Sequence, residues 1–240
     1  MRIIFIRHGD PDYEHDTLTE KGRREASLLA GRVAKWKDID AFYVSPLGRA
    51  QATAKPSLER TGRTALTFSW LREVAGRVML PNRAGLHIPW DFYPAYWTKM
   101  PEMYDREGWV NSQIIRTGDT AREWEYIKNS LDWLLRDYGY CREDGLYKVE
   151  QHSDKTIVLF CHMGVTLFML GHLLNISPML LMHGFDIPPT GVTIVASEEV
   201  VPGEAYFRCH LLGDTRHLYE GGEPVSQSGY FAPLFQELEG

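Results

Sequence analysis

The segment Arg2-Ile3-Ile4-Phe5-Ile6-Arg7-His8-Gly9, close to the amino end of the chain, decides the predicted fold. Its four apolar residues form a short continuous run, which is typical of a buried strand in a parallel sheet. Arg7 and His8 follow at the point where such a strand would end. Open α/β sheets bind ligands beyond the carboxyl ends of their strands. We therefore expect Arg7 and His8 to lie at a ligand site.

The tripeptide that ends this segment has residue types suited to phosphate chemistry. A neutral imidazole can attack the phosphorus of a phosphoryl group, and a guanidinium offers paired donors that match phosphate oxygens. Gly9 has no side chain, which would let the backbone approach an anion. A strand-end arginine beside a hydrogen-bonded histidine explains Arg7 and His8 equally well, so further residues have to decide between the two interpretations.

The rest of the chain alternates short apolar runs with amphipathic stretches. This alternation predicts a largely parallel sheet with helices between its strands. Capping-box spacings at residues 17–20 and 120–123 predict two helix starts. Residues 49–60 also have a helical pattern, although Pro56 would remove an internal hydrogen bond unless the helix kinks there. The further predicted strands are residues 41–44, 66–68, 157–160, 192–196 and 204–212.

A segment of different composition lies at about residues 74–116, where prolines are interleaved with tryptophan, tyrosine and phenylalanine. We expect one domain over residues 1–240, with this segment inserted as a cap. Its aromatic side chains fit three roles, namely packing in a core, a lid over a substrate, or a surface for a partner. Residues 221–240 are predicted to form an irregular tail that packs over the domain.

Two further segments place a basic or imidazole side chain directly after a predicted strand. Arg49 belongs to Ser45-Pro46-Leu47-Gly48-Arg49-Ala50, at the start of a predicted helix, where backbone N–H groups favour anions. His162 follows the strand at residues 157–160 and, as a hydrogen-bond donor, could stabilise the charge of a transferring phosphoryl group. A solvated arginine and a satisfied core histidine are the alternative interpretations.

Composition and charge limit the classes of function. The chain has 240 residues and a net charge of −6, which argues against broad nucleic-acid binding driven by charge. Its apolar runs are too short to span a bilayer, and Met1 leads into a strand pattern without the features of a signal peptide. Three cysteines without a CxxC pair predict free thiols. We expect a cytoplasmic protein with no membrane or nucleic-acid partner, and leave its oligomeric state open.

Taken in order, these motifs resemble the histidine phosphatase superfamily, also called the phosphoglycerate mutase-like family. The segments that carry the resemblance are Arg7-His8-Gly9, Leu18-Thr19-Glu20-Lys21-Gly22, Ser45-Pro46-Leu47-Gly48-Arg49-Ala50 and His162-Met163-Gly164, and Gly213-Asp214-Thr215-Arg216-His217-Leu218 is similar to a late segment of some members. The resemblance implies an α/β fold, a three-layer αβα sandwich with a mostly parallel central sheet and an inserted cap region.

The resemblance also implies roles for five residues. It makes His8 the nucleophile that is phosphorylated, and it places Arg7, Arg49 and His162 around the phosphoryl group. It matches Glu73 to an acidic residue that acts as general acid and base. A leaving alkoxide needs a proton, which a partly desolvated glutamate with a raised pKa can supply; a plain surface carboxylate is the alternative. The implied substrate is a small phosphorylated metabolite and the product inorganic phosphate, with neither metal nor cofactor.

Two positions depart from the family pattern. Many members have asparagine six residues after the nucleophile, where this chain has Glu14, so either residues 10–16 take another path or Glu14 points away from the phosphate. Mutase-like members commonly have a Gly-Asn pair after the second histidine, where this chain has Met163. This difference and the aromatic cap favour a phosphomonoester hydrolase over a phosphoglycerate mutase. A non-catalytic phospholigand-binding protein is a further alternative, against which the intact set of site residues counts.

Overall fold

The computed structural model describes residues 1–81 and 83–229. In these residues, strands and helices alternate along the chain. The strands are β1 (Arg2–Arg7), β2 (Pro11–Asp12), β3 (Thr17–Leu18), β4 (Ile39–Val44), β5 (Leu66–Thr67), β6 (Val78–Met79), β7 (Leu86–His87), β8 (Tyr140–Glu143), β9 (Leu146–Val149), β10 (Thr156–Cys161), β11 (Val192–Val201) and β12 (Glu204–Asp214). The helices are α1 (Glu20–Val33), α2 (Gly48–Thr61), α3 (Pro94–Trp97), α4 (Thr120–Arg136), α5 (Met163–Leu174), α6 (Pro178–Gly184) and α7 (Arg216–Gly221).

Over the described residues, eight strands form the central sheet in the order β5-β4-β10-β1-β11-β12-β9-β8. The first four are parallel to one another, and β11 runs antiparallel to β1. The remaining pairs, β11–β12, β12–β9 and β9–β8, are also antiparallel. Within this sheet, β11 and β9 therefore run opposite to the other six strands. The sheet is mostly parallel, as predicted, and its antiparallel edge ends in the hairpin β8–β9, which has no counterpart among the predicted strands.

Helices cover both faces of the sheet and make it the middle of three layers. Ile4 and Ile6 of β1 belong to a core shared with α1 and α2. Ile3 and Phe5 belong to a second core, shared with α4 and α5, because successive side chains of a strand point to opposite faces. The predicted αβα sandwich is confirmed. None of the helices in residues 1–81 and 83–229 combines the length and the apolar character needed to cross a membrane.

Both predicted capping boxes are wrong, although both helices exist. The N-cap of α1 is Thr19, whose hydroxyl accepts a hydrogen bond from the Gly22 N–H at 3.0 Å. In α4, the Glu123 carboxylate turns away from its own helix start and accepts hydrogen bonds from the backbone N–H groups of Ala75 and Gly76. The spacing alone could not distinguish a local cap from a contact with a distant segment.

Helix α2 continues without interruption through Pro56. The carbonyl of Ala52, four residues earlier, cannot receive a hydrogen bond from a proline nitrogen. Ala52 is partly exposed, so water can satisfy that carbonyl. Pro56 therefore costs the helix one hydrogen bond and does not divide it.

The segment between β5 and α4, which includes residues 74–116, lies outside the central sheet. It contains the β6–β7 hairpin and several short helical turns. Phe92 and Trp109 are buried in the core that includes α4 and α5, whereas Tyr93, Tyr96 and Tyr104 are exposed. Core packing and an exposed aromatic surface therefore coexist in this segment.

The chain after α7 packs back onto the amino-terminal part of the protein. The Ser226 hydroxyl donates to the Asp10 carboxylate, and Lys21 of α1 forms an ion pair with Glu223 at 2.9 Å. The predicted tail at residues 221–240 is thus seen to pack over the fold up to Gly229, and residues 230–240 lie outside the described residues.

Candidate active site

Four of the predicted site residues meet at one edge of the sheet because their strands are neighbours. β4, β10 and β1 are adjacent and parallel, so residues that follow them lie at the same edge. Arg7 ends β1 and His8 follows it. Arg49 lies in the first turn of α2, and His162 is the N-cap of α5. The ring centroids of His8 and His162 are 5.1 Å apart.

The His8 ring is buried and held in one tautomer. Its Nδ1 lies 2.7 Å from the carbonyl oxygen of Gly9. Because a carbonyl oxygen only accepts, Nδ1 carries the proton and Nε2 is left with a lone pair. Burial, and then the positive charge of Arg7, lowers the pKa of His8 to about 3. The ring is therefore neutral at neutral pH, and Nε2 is its nucleophilic atom.

The sequence predicted that Gly9 lets the backbone approach an anion, but in the structure Gly9 has a different role. Its N–H donates to Thr53 Oγ1 at 2.9 Å, so that donor is already used. A Cβ at Gly9 would lie 2.8 Å from the carbonyl oxygen of Gly22. The absence of a side chain lets the loop after β1 touch the start of α1, which fixes the path of the chain beside His8.

The Arg7 guanidinium is buried and oriented by two backbone carbonyls. Nη1 donates to Ile187 O at 2.6 Å, and Nη2 donates to Ser228 O at 2.9 Å. Its Nε is buried without a hydrogen-bond partner among the described residues. Arg7 is therefore held from the loop before β11 and from the chain after α7, neither of which the sequence predicted as its partner.

Asp16 occupies the position where the sequence predicted phosphate binding. Its carboxylate accepts hydrogen bonds from the Gly48 N–H and from Arg49 Nη1, both at 2.6 Å, at the start of α2. Its φ of 45° lies in the left-handed region, which aspartate tolerates better than most residues. Sequence reasoning missed Asp16, since only the conformation of its loop brings the carboxylate to Arg49.

Asp16 gives the site a testable electrostatic property. Asp16→Asn keeps an acceptor for the Gly48 N–H and removes a negative charge that repels phosphate. We expect inorganic phosphate to bind more tightly by up to about fivefold, a modest effect because the Asp16 side chain is partly exposed. The measurement is the inhibition constant for phosphate. Glu14→Gln removes the same charge from the same loop and should leave that constant unchanged; weaker phosphate binding in Asp16→Asn would contradict this electrostatic interpretation.

Glu14 itself lies in an exposed turn. The Asp12 carboxylate closes this turn by accepting the backbone N–H groups of Glu14 and His15, at 3.1 and 3.2 Å. The family's asparagine position thus falls on a surface turn in this chain, and Asp16, two residues later, is the acidic side chain that reaches Arg49.

His162 is fully buried and shares a hydrogen bond with Ser45. The distance from its Nε2 to Ser45 Oγ is 2.8 Å, and its Nδ1 is buried without a partner among the described residues. Burial lowers the pKa of His162 well below its usual value, and the repulsion that would arise if His8 and His162 were both protonated lowers it further. Ser45, the first residue after β4, was not among the predicted site residues. His162 is thus a core histidine whose Nε2 is hydrogen-bonded and whose Nδ1 has no partner in residues 1–81 and 83–229.

Glu73 reaches the same region from the segment that leaves the sheet. Its carboxylate accepts hydrogen bonds from the N–H groups of Gly164 at 3.2 Å and Val165 at 3.0 Å, in the first turn of α5. Burial raises the pKa of Glu73, although these donors favour the charged form. A Cβ at Gly164 would lie 2.7 Å from Glu73 Oε1 and 2.9 Å from the Trp90 indole. Glu73 is therefore no freely solvated carboxylate, and Trp90 of the cap lies beside it.

The raised pKa of Glu73 leads to an expected pH dependence. If the protonated carboxyl is needed by the leaving group, kcat/KM for an alkyl phosphate, which reports only the steps up to release of the leaving group, should fall as the pH rises through this pKa. Protonation of His8 should not lower the activity on the acidic side of the pH profile, because a pKa of about 3 keeps the ring neutral over the assay range. The measurement is kcat/KM against pH for an alkyl and an aryl phosphate. Only the alkyl substrate should show the Glu73 limb, and identical profiles would contradict the expectation.

The sequence comparison identifies the family. A model of the histidine phosphatase superfamily (branch 1) matches residues 3–123. The chain belongs to this superfamily. The matched residues include Arg7, His8, Arg49 and Glu73, whereas His162 lies beyond them and joins the other four residues through the pairing of β10 with β1 and β4. No curated protein matches the chain.

Solved structures share the histidine phosphatase fold. A mycobacterial glucosyl-3-phosphoglycerate phosphatase is 19% identical, with a TM-score of 0.59 over 88% of this chain and 98% of its own. A phosphoserine phosphatase variant from Entamoeba histolytica, in complex with phosphoserine, is 20% identical, with a TM-score of 0.58 over 90% and 98%. A protein described as mycobacterial hydrolase 1 is 21% identical, with a TM-score of 0.57 over 89% and 98%. At these identities the similarity concerns the fold alone.

Residues 1–81 and 83–229 contain no group of three or more His, Cys, Asp or Glu side chains arranged to hold a metal ion.

Proposed function

We propose that this histidine phosphatase hydrolyses a small phosphomonoester through a phosphohistidine intermediate on His8. The observation that carries the proposal is the state of the His8 ring. Its Nδ1 proton is committed to Gly9 O, and its low pKa keeps it neutral, so Nε2 has an available lone pair in a site lined by cationic side chains.

Three buried polar atoms around His8 support phosphate as the ligand. Arg7 Nε, Arg49 Nε and His162 Nδ1 have no hydrogen-bond partner among the described residues. Buried polar groups of native proteins are nearly always paired, and unpaired ones often mark a binding or catalytic role. We assign these groups to the oxygens of the phosphoryl group, whose negative charge two guanidinium groups would stabilise.

The proposed reaction has two steps. The His8 Nε2 lone pair attacks phosphorus, the N–P bond forms as the ester P–O bond breaks, and Glu73 gives its proton to the leaving oxygen. Water then attacks phosphorus and gives a proton to Glu73; the new P–O bond forms as the P–N bond breaks and its electron pair returns to Nε2, so that inorganic phosphate is released and His8 is neutral again. The raised pKa of Glu73 suits it to donate in the first step and accept in the second.

We propose that residues 74–116 act as a cap of one domain and contribute to the pocket for the leaving group. Trp90 supports this role, because its indole and the Glu73 carboxylate both lie against Gly164. An aromatic wall at the proton donor fits a leaving group that carries little charge. The solved structures of similar fold that carry phosphatase names also favour hydrolysis over phosphoryl transfer to a second hydroxyl.

A panel of phosphomonoesters tests the proposal. We would incubate the protein with 3-phosphoglycerate, phosphoserine and sugar phosphates, and measure both inorganic phosphate and 2-phosphoglycerate. We expect phosphate release from at least one substrate. Formation of 2-phosphoglycerate faster than phosphate release would identify a mutase, and binding without turnover across the panel would identify a phospholigand-binding protein.

The cytoplasmic location stays a prediction. Cys141, Cys161 and Cys209 are unpaired in the structure, and free thiols persist in reducing compartments.

A further inference from the structure

Thr190 has a backbone conformation that β-branched residues rarely adopt. Its φ is 57°, in the left-handed region, and the residue is fully buried. It lies in the loop before β11, where its N–H donates to the carbonyl oxygen of His8 at 3.1 Å. Such conformations persist only where the surroundings hold them firmly, and they cluster at functional sites. The contacts of Thr190 should therefore show what this conformation serves.

The side chain of Thr190 belongs to a hydrogen-bond chain with a defined direction. Its hydroxyl donates to Pro189 O at 2.7 Å, so the same oxygen accepts from His217 Nε2 at 3.0 Å. His217 Nε2 therefore carries the proton, and His217 Nδ1 accepts from Arg32 Nη1 at 3.4 Å. Burial lowers the pKa of His217 to about 4, which agrees with this neutral tautomer.

An ion pair fixes Arg32, the residue at the far end of this series of hydrogen bonds. Arg32 of α1 binds the Asp214 carboxylate at 2.5 Å, and its Nη1 also donates to Asp214 O at 3.1 Å. Asp214 and His217 both belong to the segment Gly213-Asp214-Thr215-Arg216-His217-Leu218. None of the residues that were assigned to the phosphoryl group lies in this segment. The segment connects α1 to the loop that holds His8.

The backbone of His8 is held from three directions. Its N–H donates to Cys161 O of β10 at 3.0 Å, and its carbonyl accepts from Thr190. The next N–H, of Gly9, donates to Thr53 of α2. Since the His8 side chain extends from this backbone and its Nδ1 donates to the carbonyl oxygen of Gly9, the backbone conformation of residues 8 and 9 determines where Nε2 points.

We propose that Thr190 and His217 are positioning residues, which set the backbone of His8 and thereby aim its Nε2 at phosphorus. The proposal rests on the proposed function, because it takes His8 as the nucleophile. Alignment of the attacking atom affects the stability of the transition state far more than it affects the affinity for a phosphate ion, because the arginines supply the phosphate binding. The two effects can therefore be separated by experiment.

Thr190→Val tests the proposal, because valine keeps the shape of threonine and removes the hydroxyl. Vanadate bonded to a nucleophile imitates the transition state, whereas inorganic phosphate reports ground-state binding. We expect kcat to fall about tenfold, the vanadate inhibition constant to rise about tenfold, and the phosphate inhibition constant to stay within about twofold. Thr190→Ser, which keeps the hydroxyl, should restore wild-type values.

His217→Leu makes the same test from the other end of the hydrogen bond, and the double variant should be no worse than either single one. If the two residues had a purely structural role, the substitutions would lower the melting temperature and leave the ratio of vanadate to phosphate affinity unchanged. The proposal is overturned if both variants keep that ratio and kcat, or if Thr190→Ser fails as Thr190→Val does. A wild-type protein that turns over no substrate would instead contradict the proposed function.

Discussion

Replacement of His8 by alanine is expected to lower kcat by about ten-thousandfold or more, because the covalent route has no other nucleophile in the proposed mechanism. Binding of inorganic phosphate should survive, since Arg7 and Arg49 remain. The measurement is kcat together with the dissociation constant for phosphate. Loss of activity with retained phosphate binding separates the chemical role of the ring from a general loss of structure.

A matched change at another histidine controls for the substitution itself. His15 is exposed, pairs with Asp12 in the loop after β1, and takes no part in the proposed reaction. His15→Ala should leave kcat within about twofold of the wild type, as expected for an exposed residue away from the reaction. A His8→Ala variant that keeps more than about a tenth of the wild-type kcat would contradict covalent catalysis by His8.

Glu73→Gln is expected to have the second largest effect, and the effect should depend on the leaving group. Glutamine has nearly the same shape as glutamate and cannot donate a proton to an alkoxide. We expect kcat/KM for an alkyl phosphate, which reports only the steps up to release of the leaving group, to fall by about a hundredfold to a thousandfold. An aryl phosphate such as p-nitrophenyl phosphate, whose phenolate leaves without protonation, should lose less than about tenfold. The measurement is kcat/KM for both substrates with each protein.

Glu73 also accepts hydrogen bonds from the first turn of α5, so a purely structural effect has to be distinguished. Glu123→Gln is the control, because the Glu123 carboxylate likewise accepts backbone N–H groups but belongs to α4. This control should show no dependence on the leaving group. Equal losses for the alkyl and the aryl phosphate in Glu73→Gln would mean that Glu73 supports the helix start and does not supply the proton.

The edge of the sheet where the site lies was predictable from local sequence. Each of Arg7, Arg49 and His162 follows a short apolar run, and parallel strands bring such positions together at one edge. Glu73 follows the short helical turn Ser69–Leu71, not a buried strand, so only the resemblance to the family pointed to it. The mostly parallel sheet followed from the same alternation, whereas the hairpin β8–β9 lacks a long apolar run and was missed.

The residues that sequence reasoning missed are those whose position depends on loop conformation. Asp16 reaches Arg49 only because its backbone is left-handed, and Thr190 holds His8 for the same reason. Ser45 meets His162 through the pairing of β4 with β10, and neither residue signals the other in the sequence. Spacing rules predict regular elements, because these repeat. Contacts made by single loop residues do not repeat, so they can be identified only after the fold is known.

Trapping of the phosphorylated protein tests most directly whether His8 carries the phosphoryl group. The protein would be mixed rapidly with a phosphomonoester labelled in its phosphate, quenched in alkaline detergent, and mapped by mass spectrometry. We expect label on His8 that is stable in base, labile in acid, and formed at least as fast as turnover. A protein that turns over substrate without label on His8, or with acid-stable label on another residue such as Ser45, would contradict the phosphohistidine mechanism.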